Sequence, residues 1–323
     1  MNEASSIADF LTGLLRQTRP PDEIVIVDGG STDGTVAAIE QCRALSHVPI
    51  RLIEASGSNI SEGRNIAISR AAHDVIAVTD AGTSPEPDWL EKLLAPLERD
   101  PDLAVSSGFF VPGGSGWRRR TLAIVITPQR QEIDPERFLP SSRSVAFRRA
   151  WWSRVGGYPE WLRHCEDLVF DLELRDAGAS FAFVPDAIVA WDARPDLRSF
   201  ARQYFNYARG DGHADLWPKR HLLRYGAYAA ATCLLVRKRQ RRSVVLLCLG
   251  WLGYQRKFLR RLLRMPSSTK RSEQLLAFAY TPVVVTVGDL AKMIGYALGR
   301  WERTSVRGSA AKSLASRDGK ADG

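Results

Sequence analysis

Three short stretches carry carboxylates where chemistry could use them. Asp28-Gly29-Gly30-Ser31-Thr32-Asp33-Gly34 follows the apolar run Ile24-Val25-Ile26-Val27. Glycines let a backbone approach a ligand closely, and the Asp28 carboxylate can accept from a base or a ribose. The same residues also make a well-formed turn that opens a helix. Asp80 ends the run Val75 to Thr79 and precedes Ala81-Gly82. A hard cation bridging diphosphate oxygens needs one or two such carboxylates; a lone Asp there also serves as a turn cap. Glu166-Asp167 opens a later helix, where the helix dipole favours acidic caps.

The elements that must hold these residues follow from periodicity. Ile7, Phe10, Leu11, Leu14 and Leu15 lie on one helical face, with Ser6 as N-cap, and Pro20-Pro21 ends that helix. Strands are expected at 24–27, 51–54 and 75–79, and helices from Thr35, over 61–72 and over 87–99. This alternation predicts an α/β fold with a mainly parallel, Rossmann-type sheet flanked by helices. Ligands bind such sheets beyond the carboxyl ends of the strands, where Asp28 and Asp80 stand. Residues 109–142 read as a long functional crossover. A strand at 145–147 and helices at 149–155, 166–177 and 197–208 follow.

Together the three acidic stretches resemble the family 2 glycosyltransferases, inverting enzymes with the GT-A fold. The resemblance runs from residue 2 to about residue 217. The family's DDGSxDG nucleotide turn matches Asp28 to Gly34, and its Arg-Asn-Ala segment matches Arg64-Asn65-Ile66-Ala67 in part. Its metal-binding DxD matches Asp80, and its Gly-Gly then Glu-Asp region matches Gly156-Gly157 and Glu166-Asp167. The resemblance implies a nucleotide-diphosphate sugar donor held by Asp28, Gly29, Gly30, Ser31, Asp33, Arg64 and Asn65. It implies Mg²⁺ or Mn²⁺ at Asp80, Asp167 as the base with Glu166 beside it, and a lipid-linked or polysaccharide acceptor. Arg64 has the fork geometry that suits phosphate. Arg143 and Ser144 are placed on the acceptor side, and Gln203 and Arg209 near the diphosphate or acceptor. The Gln-x-x-Arg-Trp of processive members is absent, so a single addition is expected.

Three departures stand out. The family's first strand, ending near Pro-Thr…Asn-Glu, would precede Asn2-Glu3, so an N-terminally short chain is expected. Gly29 replaces the second acid of DDGS, and Gly82 the second acid of DxD. These losses support the alternative reading, a catalytically inactive sugar-nucleotide-binding or scaffold protein of the same fold. A nucleotidyltransferase would show a Gly-rich, Lys-bearing phosphate loop near the start, and none is visible.

Charge divides the chain. Residues 200–323 hold 24 Lys/Arg against 7 Asp/Glu, a net of +17, and residues 1–199 hold 21 against 29, a net of −8. Uncharged runs at 225–236 and 243–255 are too short to span a bilayer and are flanked by Arg and Lys. Gln274 to Leu298 is long enough, but carries Asp289 and Lys292, spaced to pair on one helix face. Basic runs beside Leu and Val predict helices at an anionic membrane surface on the cytoplasmic side, and no nucleic acid. The expected layout is a catalytic domain at 1–217, a membrane-associating helical region at 218–303 and a disordered tail at 304–323. The four cysteines lack CxxC spacing, which disfavours zinc.

Overall fold

The computed structural model describes residues 1–114, 116–236, 241–263 and 270–321. Helix α1 (Ile7–Leu15) buries Ile7, Leu11 and Leu14, the face its spacing predicts. Ser6 does not cap it with its side chain; the hydroxyl donates to the Glu3 carboxylate instead. Strand β1 (Ile24–Asp28), α2 (Thr35–Leu45), β2 (Ile50–Glu54) and α3 (Ile60–Arg70) follow. Asn59 caps α3 in a capping box with Glu62, which satisfies otherwise orphaned amides.

β1 and β2 form a parallel pair, with Asp28 opposite Glu54. A second sheet takes β3 (Val75–Val78), β4 (Thr83–Pro85), β5 (Val105–Gly113), β6 (Val145–Arg148) and β7 (Phe181–Asp192) in the order β3-β6-β5-β7-β4. The α/β class is as expected, but the hydrogen-bonded pairs are mixed rather than mainly parallel. β5 and β7 run parallel, whereas β6 is antiparallel to β3 and β5, and β4 to β7. The early strand–helix alternation carries no information about these later insertions.

β3 and β4 are the two edges of this sheet, yet only the turn Thr79–Gly82 separates them in sequence. Edges of a flat five-stranded sheet lie about 19 Å apart. Here the Thr79 and Thr83 hydroxyls approach to 2.9 Å, and the Thr83 amide donates to the Asp80 carbonyl. The sheet therefore curls, and Asp80 sits where its edges meet.

α4 (Trp89–Arg99) supplies Trp89, Leu90, Leu93 and Leu97 to the core beneath Ala187 and Val189 of β7. α5 (Trp117–Ile126) lies within the stretch 109–142 that the sequence presents as a long crossover. α6 (Arg149–Val155) and α7 (Glu166–Asp176) bracket the Gly156-Gly157 turn.

The chain divides into two compact units: 1–113 with 130–192, and 114–129 with 193–323. The division falls after Asp192, where the sequence boundary was drawn at 217. In the second unit, α8 (Leu197–Ala214), α9 (Pro218–Val236), α10 (Arg241–Leu263) and α11 (Arg271–Ala321) join α5. Leu122, Phe200, Tyr204 and Val284 form their core. Asp289 pairs with Arg224 at 3.0 Å and accepts from Tyr254, rather than pairing with Lys292. Lys292 lies 4.0 Å from the Tyr204 ring centroid. The backbone expected to be disordered from 304 is helical through Ala321.

Candidate active site

Asp28 ends β1 but turns its carboxylate inward. One oxygen accepts from the Gly30 and Ser31 amides at 2.9 and 2.7 Å, and the other from the Ser31 hydroxyl. Burial opposes ionisation, but these donors outweigh it and lower the Asp28 pKa. Asp33 accepts from Thr35 and from the Ala4 amide at 3.1 Å. Both carboxylates expected at the nucleotide thus shape the turn itself. Gly30 has φ +106°, open to glycine at little cost. A Cβ at Gly29 would meet the Ser58 carbonyl at 3.0 Å and the Met1 sulfur at 3.2 Å. The turn therefore has little room for the acid that the family carries there.

Asp80 is handled differently. Arg64, one turn into α3, donates to Asp80 Oδ1 and to Glu166 Oε1, each at 2.8 Å. Its guanidinium lies 5.3 Å from the Tyr158 ring centroid. Burial works against the Arg64 charge; Asp80, then Tyr158 and Glu166, more than offset it and raise its pKa. Glu166 is pushed up, first by burial and then by Asp167. Arg143 Nε stands 3.9 Å from the other Asp80 oxygen. Its guanidinium is flanked by the rings of Trp191 and Phe110, at 4.7 and 5.7 Å.

Asp167 is reached from the same arginine. Ser141 Oγ donates to Asp167 Oδ2 at 3.3 Å and accepts from Arg143 Nη1 at 2.9 Å. The Leu168 amide donates to Asp167 Oδ1. Arg64 and Arg143 therefore tie Asp80 to the Glu166-Asp167 pair that opens α7. Ser141 escaped sequence reasoning because nothing in its type or spacing distinguishes it from Ser142, whose hydroxyl pairs with Tyr158 at 3.0 Å.

Other expected site residues have different partners. Asn65 accepts from Trp152 Nε1 and the Tyr158 amide, at 3.0 and 2.8 Å. It donates to the Tyr158 carbonyl and to Glu160. All its amide capacity goes to fixing the loop before α7. Gly157, at φ +84°, passes so close that a Cβ would lie 2.7 Å from Asn65 Oδ1. Ser144, expected on the acceptor side, is 1% exposed; its hydroxyl accepts from Trp89 and donates to the Ala187 carbonyl. It is a core residue because β6 directs it between α4 and β7. In the second unit, Gln203 donates to the Tyr207 hydroxyl, and Arg209 forks onto Glu302 at 2.6 and 2.8 Å.

Around Asp80 all candidate metal donors are oxygens. The Glu3 carboxylate lies 4.0 Å from where a Cβ at Gly82 would stand. Among the described residues no group of three or more His, Cys, Asp or Glu could hold a metal alone. The set fits a cation that brings most of its own ligands, water and diphosphate, rather than an all-protein cage.

The model of Glycosyl transferase family 2 matches residues 1–156. The chain is 26% identical to glycosyltransferase AglE of Haloferax volcanii, over 73% of this chain and 77% of that protein. It is 27% identical to the N-acetylglucosaminyl-diphospho-decaprenol L-rhamnosyltransferase of Mycobacterium tuberculosis, over 72% of this chain and 90% of the relative. Among solved structures, a mannosyltransferase of Pyrobaculum calidifontis in complex with GDP-Man and Mn²⁺ superposes with a TM-score of 0.53. That match has 18% identity and covers 94% of this chain and 84% of that one. The curled mixed sheet accords with these matches: residues 1–156 match a glycosyltransferase family 2 domain, and the chain is a glycosyltransferase built on the GT-A fold.

Proposed function

We propose that the chain transfers one sugar from a nucleotide-diphosphate donor to a lipid-linked or polysaccharide acceptor, with inversion, in building a cell-envelope glycan. The observation that carries this reading is the Arg64 bridge from Asp80 to Glu166, which draws a leaving-group side and a base side into one site. Inversion is a single displacement at the anomeric carbon. It requires a base at the acceptor hydroxyl and relief of charge on the departing diphosphate. Asp167 is the base, with its carboxylate held by Ser141 and the Leu168 amide. Arg64 and Arg143 supply fixed positive charge beside the diphosphate. Asp80, joined by Glu3, would hold Mg²⁺ or Mn²⁺, whose chemistry is to neutralise the diphosphate as it leaves.

A relative supports the acceptor class: the Mycobacterium tuberculosis protein is an N-acetylglucosaminyl-diphospho-decaprenol L-rhamnosyltransferase. The second unit supports a membrane location on the cytoplasmic face. Leu222, Leu223, Leu249, Trp251 and Leu252 are exposed on α9 and α10. Exposed Lys219, Arg220, Arg256 and Arg260 stand near them in sequence. Among the described residues, Arg271–Arg303 is also long and apolar enough to cross a bilayer. Aliphatic faces with basic flanks suit an anionic headgroup layer.

The test is release of nucleoside diphosphate from a panel of nucleotide sugars, with and without Mn²⁺. Asp167→Asn is expected to lower turnover by about 10²–10⁴-fold, the range for loss of a positioned base. Equal, negligible turnover in both proteins would favour the inactive binding protein instead. Sedimentation with phosphatidylglycerol vesicles, but not with phosphatidylcholine vesicles, is expected for the membrane contact, and 0.5 M salt should reverse it as screening shortens the reach of the charges (to about 4 Å).

A further inference from the structure

The site contains a connection that neither the family match nor the acidic motifs assign. Arg143 reaches Asp80 with Nε, at 3.9 Å, and the Ser141 hydroxyl with Nη1, at 2.9 Å. That hydroxyl has one hydrogen, and it points to Asp167. Trp191 and Phe110 flank the guanidinium plane, so it has few ways to turn. We propose that Ser141 is a positioning residue for the base, and that Arg143 acts through it to couple donor occupancy to the orientation of Asp167. The proposal rests on the reading of Asp167 as base.

The physical basis is that a serine hydroxyl is a rotor. It donates in one direction and accepts from another. Accepting from a guanidinium fixes its oxygen lone pair and leaves its hydrogen for the carboxylate. Charged partners on both sides strengthen the chain. A diphosphate beside Asp80 gives the Arg143 fork an anionic partner and holds it in this pose. The Ser141 hydrogen bond to Asp167 is then most populated when the donor is in place. The acceptor hydroxyl meets an aligned base only in the complex that can use it.

The experiment compares donor turnover with nucleotide binding in Ser141→Ala, Ser141→Thr, Arg143→Lys, the double Ser141→Ala/Arg143→Lys, and Asp167→Asn. Turnover is read as UDP release from UDP-glucose or GDP release from GDP-mannose, whichever the enzyme uses. Binding is read by calorimetry with the matching nucleoside diphosphate and Mn²⁺. S141A is expected to lower turnover about tenfold, as for loss of one hydrogen bond to a charged group. Its nucleotide affinity should stay within about twofold, and S141T should restore most of the turnover, which a merely structural defect would not permit. R143K should lower both readouts. The double variant should turn over no more slowly than R143K, because one chain of contacts has already been cut. Wild-type turnover in S141A, alongside an inactive D167N, overturns the coupling and leaves the base intact. So does strict additivity in the double variant. Wild-type turnover in D167N instead removes the base assignment beneath it.

Discussion

Asp28 and Asp80 look alike in sequence and behave oppositely in the structure. Each ends an apolar strand, and each is followed within two residues by glycine. Asp28 is 5% exposed, and its own turn consumes both its oxygens. The Asp80 side chain is 31% exposed, and its partners come from residues 16 and 63 positions away. A carboxylate saturated by local amides is part of the scaffold. One held by two distant arginines and still partly open to solvent can meet a ligand. The difference lies in the turns: the Gly-Gly-Ser sequence after Asp28 brings amides back onto it, whereas the Asp80 turn spends its backbone closing the sheet edges.

Substitutions at the two positions sharpen that contrast. Asp80→Asn should cost the larger factor in turnover, about 10²-fold, as for loss of one electrostatic element of a transition-state site. Its melting temperature should move little, because Arg64 keeps Glu166. If the melting temperature of Asp80→Asn falls as far as that of Asp28→Ala, the contrast fails. Asp28→Ala should act mainly on folding. It strands the Gly30 and Ser31 amides and should cost about 2–3 kcal/mol, or roughly 3–5 °C in Tm for a chain of this size. Turnover per folded molecule should fall less than tenfold, and full activity loss without destabilisation would make Asp28 a ligand-binding residue after all.

The smallest effect concerns a third acid, Asp171, one turn beyond Asp167. It is 3% exposed, and its Oδ2 has no hydrogen-bond partner. Burial, then repulsion by Asp167, raises its pKa well above the usual carboxylate range. Burial pushes nearby Glu173 up to about 6. A group with a raised folded-state pKa stabilises below its unfolded value, and that stability is lost as pH climbs through the folded pKa. Asp171→Asn cannot ionise and lacks this loss. Its Tm advantage over the parent should therefore grow between pH 5 and pH 8, by about 1–2 °C per kcal/mol. A constant difference across that range would show that Asp171 titrates no differently in the folded protein.

Much of the first unit was legible because its signals are local. The α1 face, the β1 run and the start of α7 depend on spacing within a dozen residues. β7 was missed: Phe181 to Asp192 contains Pro185 and mixes aromatic with small residues, and it becomes a strand because β5 and β4 pair with it on both sides. α5 was missed because its Arg-rich start hides an apolar face whose partners lie in α10 and α11, far along the chain. Ser144 was misplaced because its burial comes from Trp89 and Ala187, neither of which its neighbours reveal.

The sequence by itself determined the fold class and the resemblance to family 2 glycosyltransferases, since these rest on short-range periodicity and on motif order. Only the tertiary structure decided which acids remain available for chemistry. That choice depends on where each carboxylate finds its hydrogen-bond donors. For Asp28 they are two and three residues away, whereas for Asp80, Glu166 and Asp167 the decisive ones arrive from distant segments, through arginines and a serine that folding alone brings together.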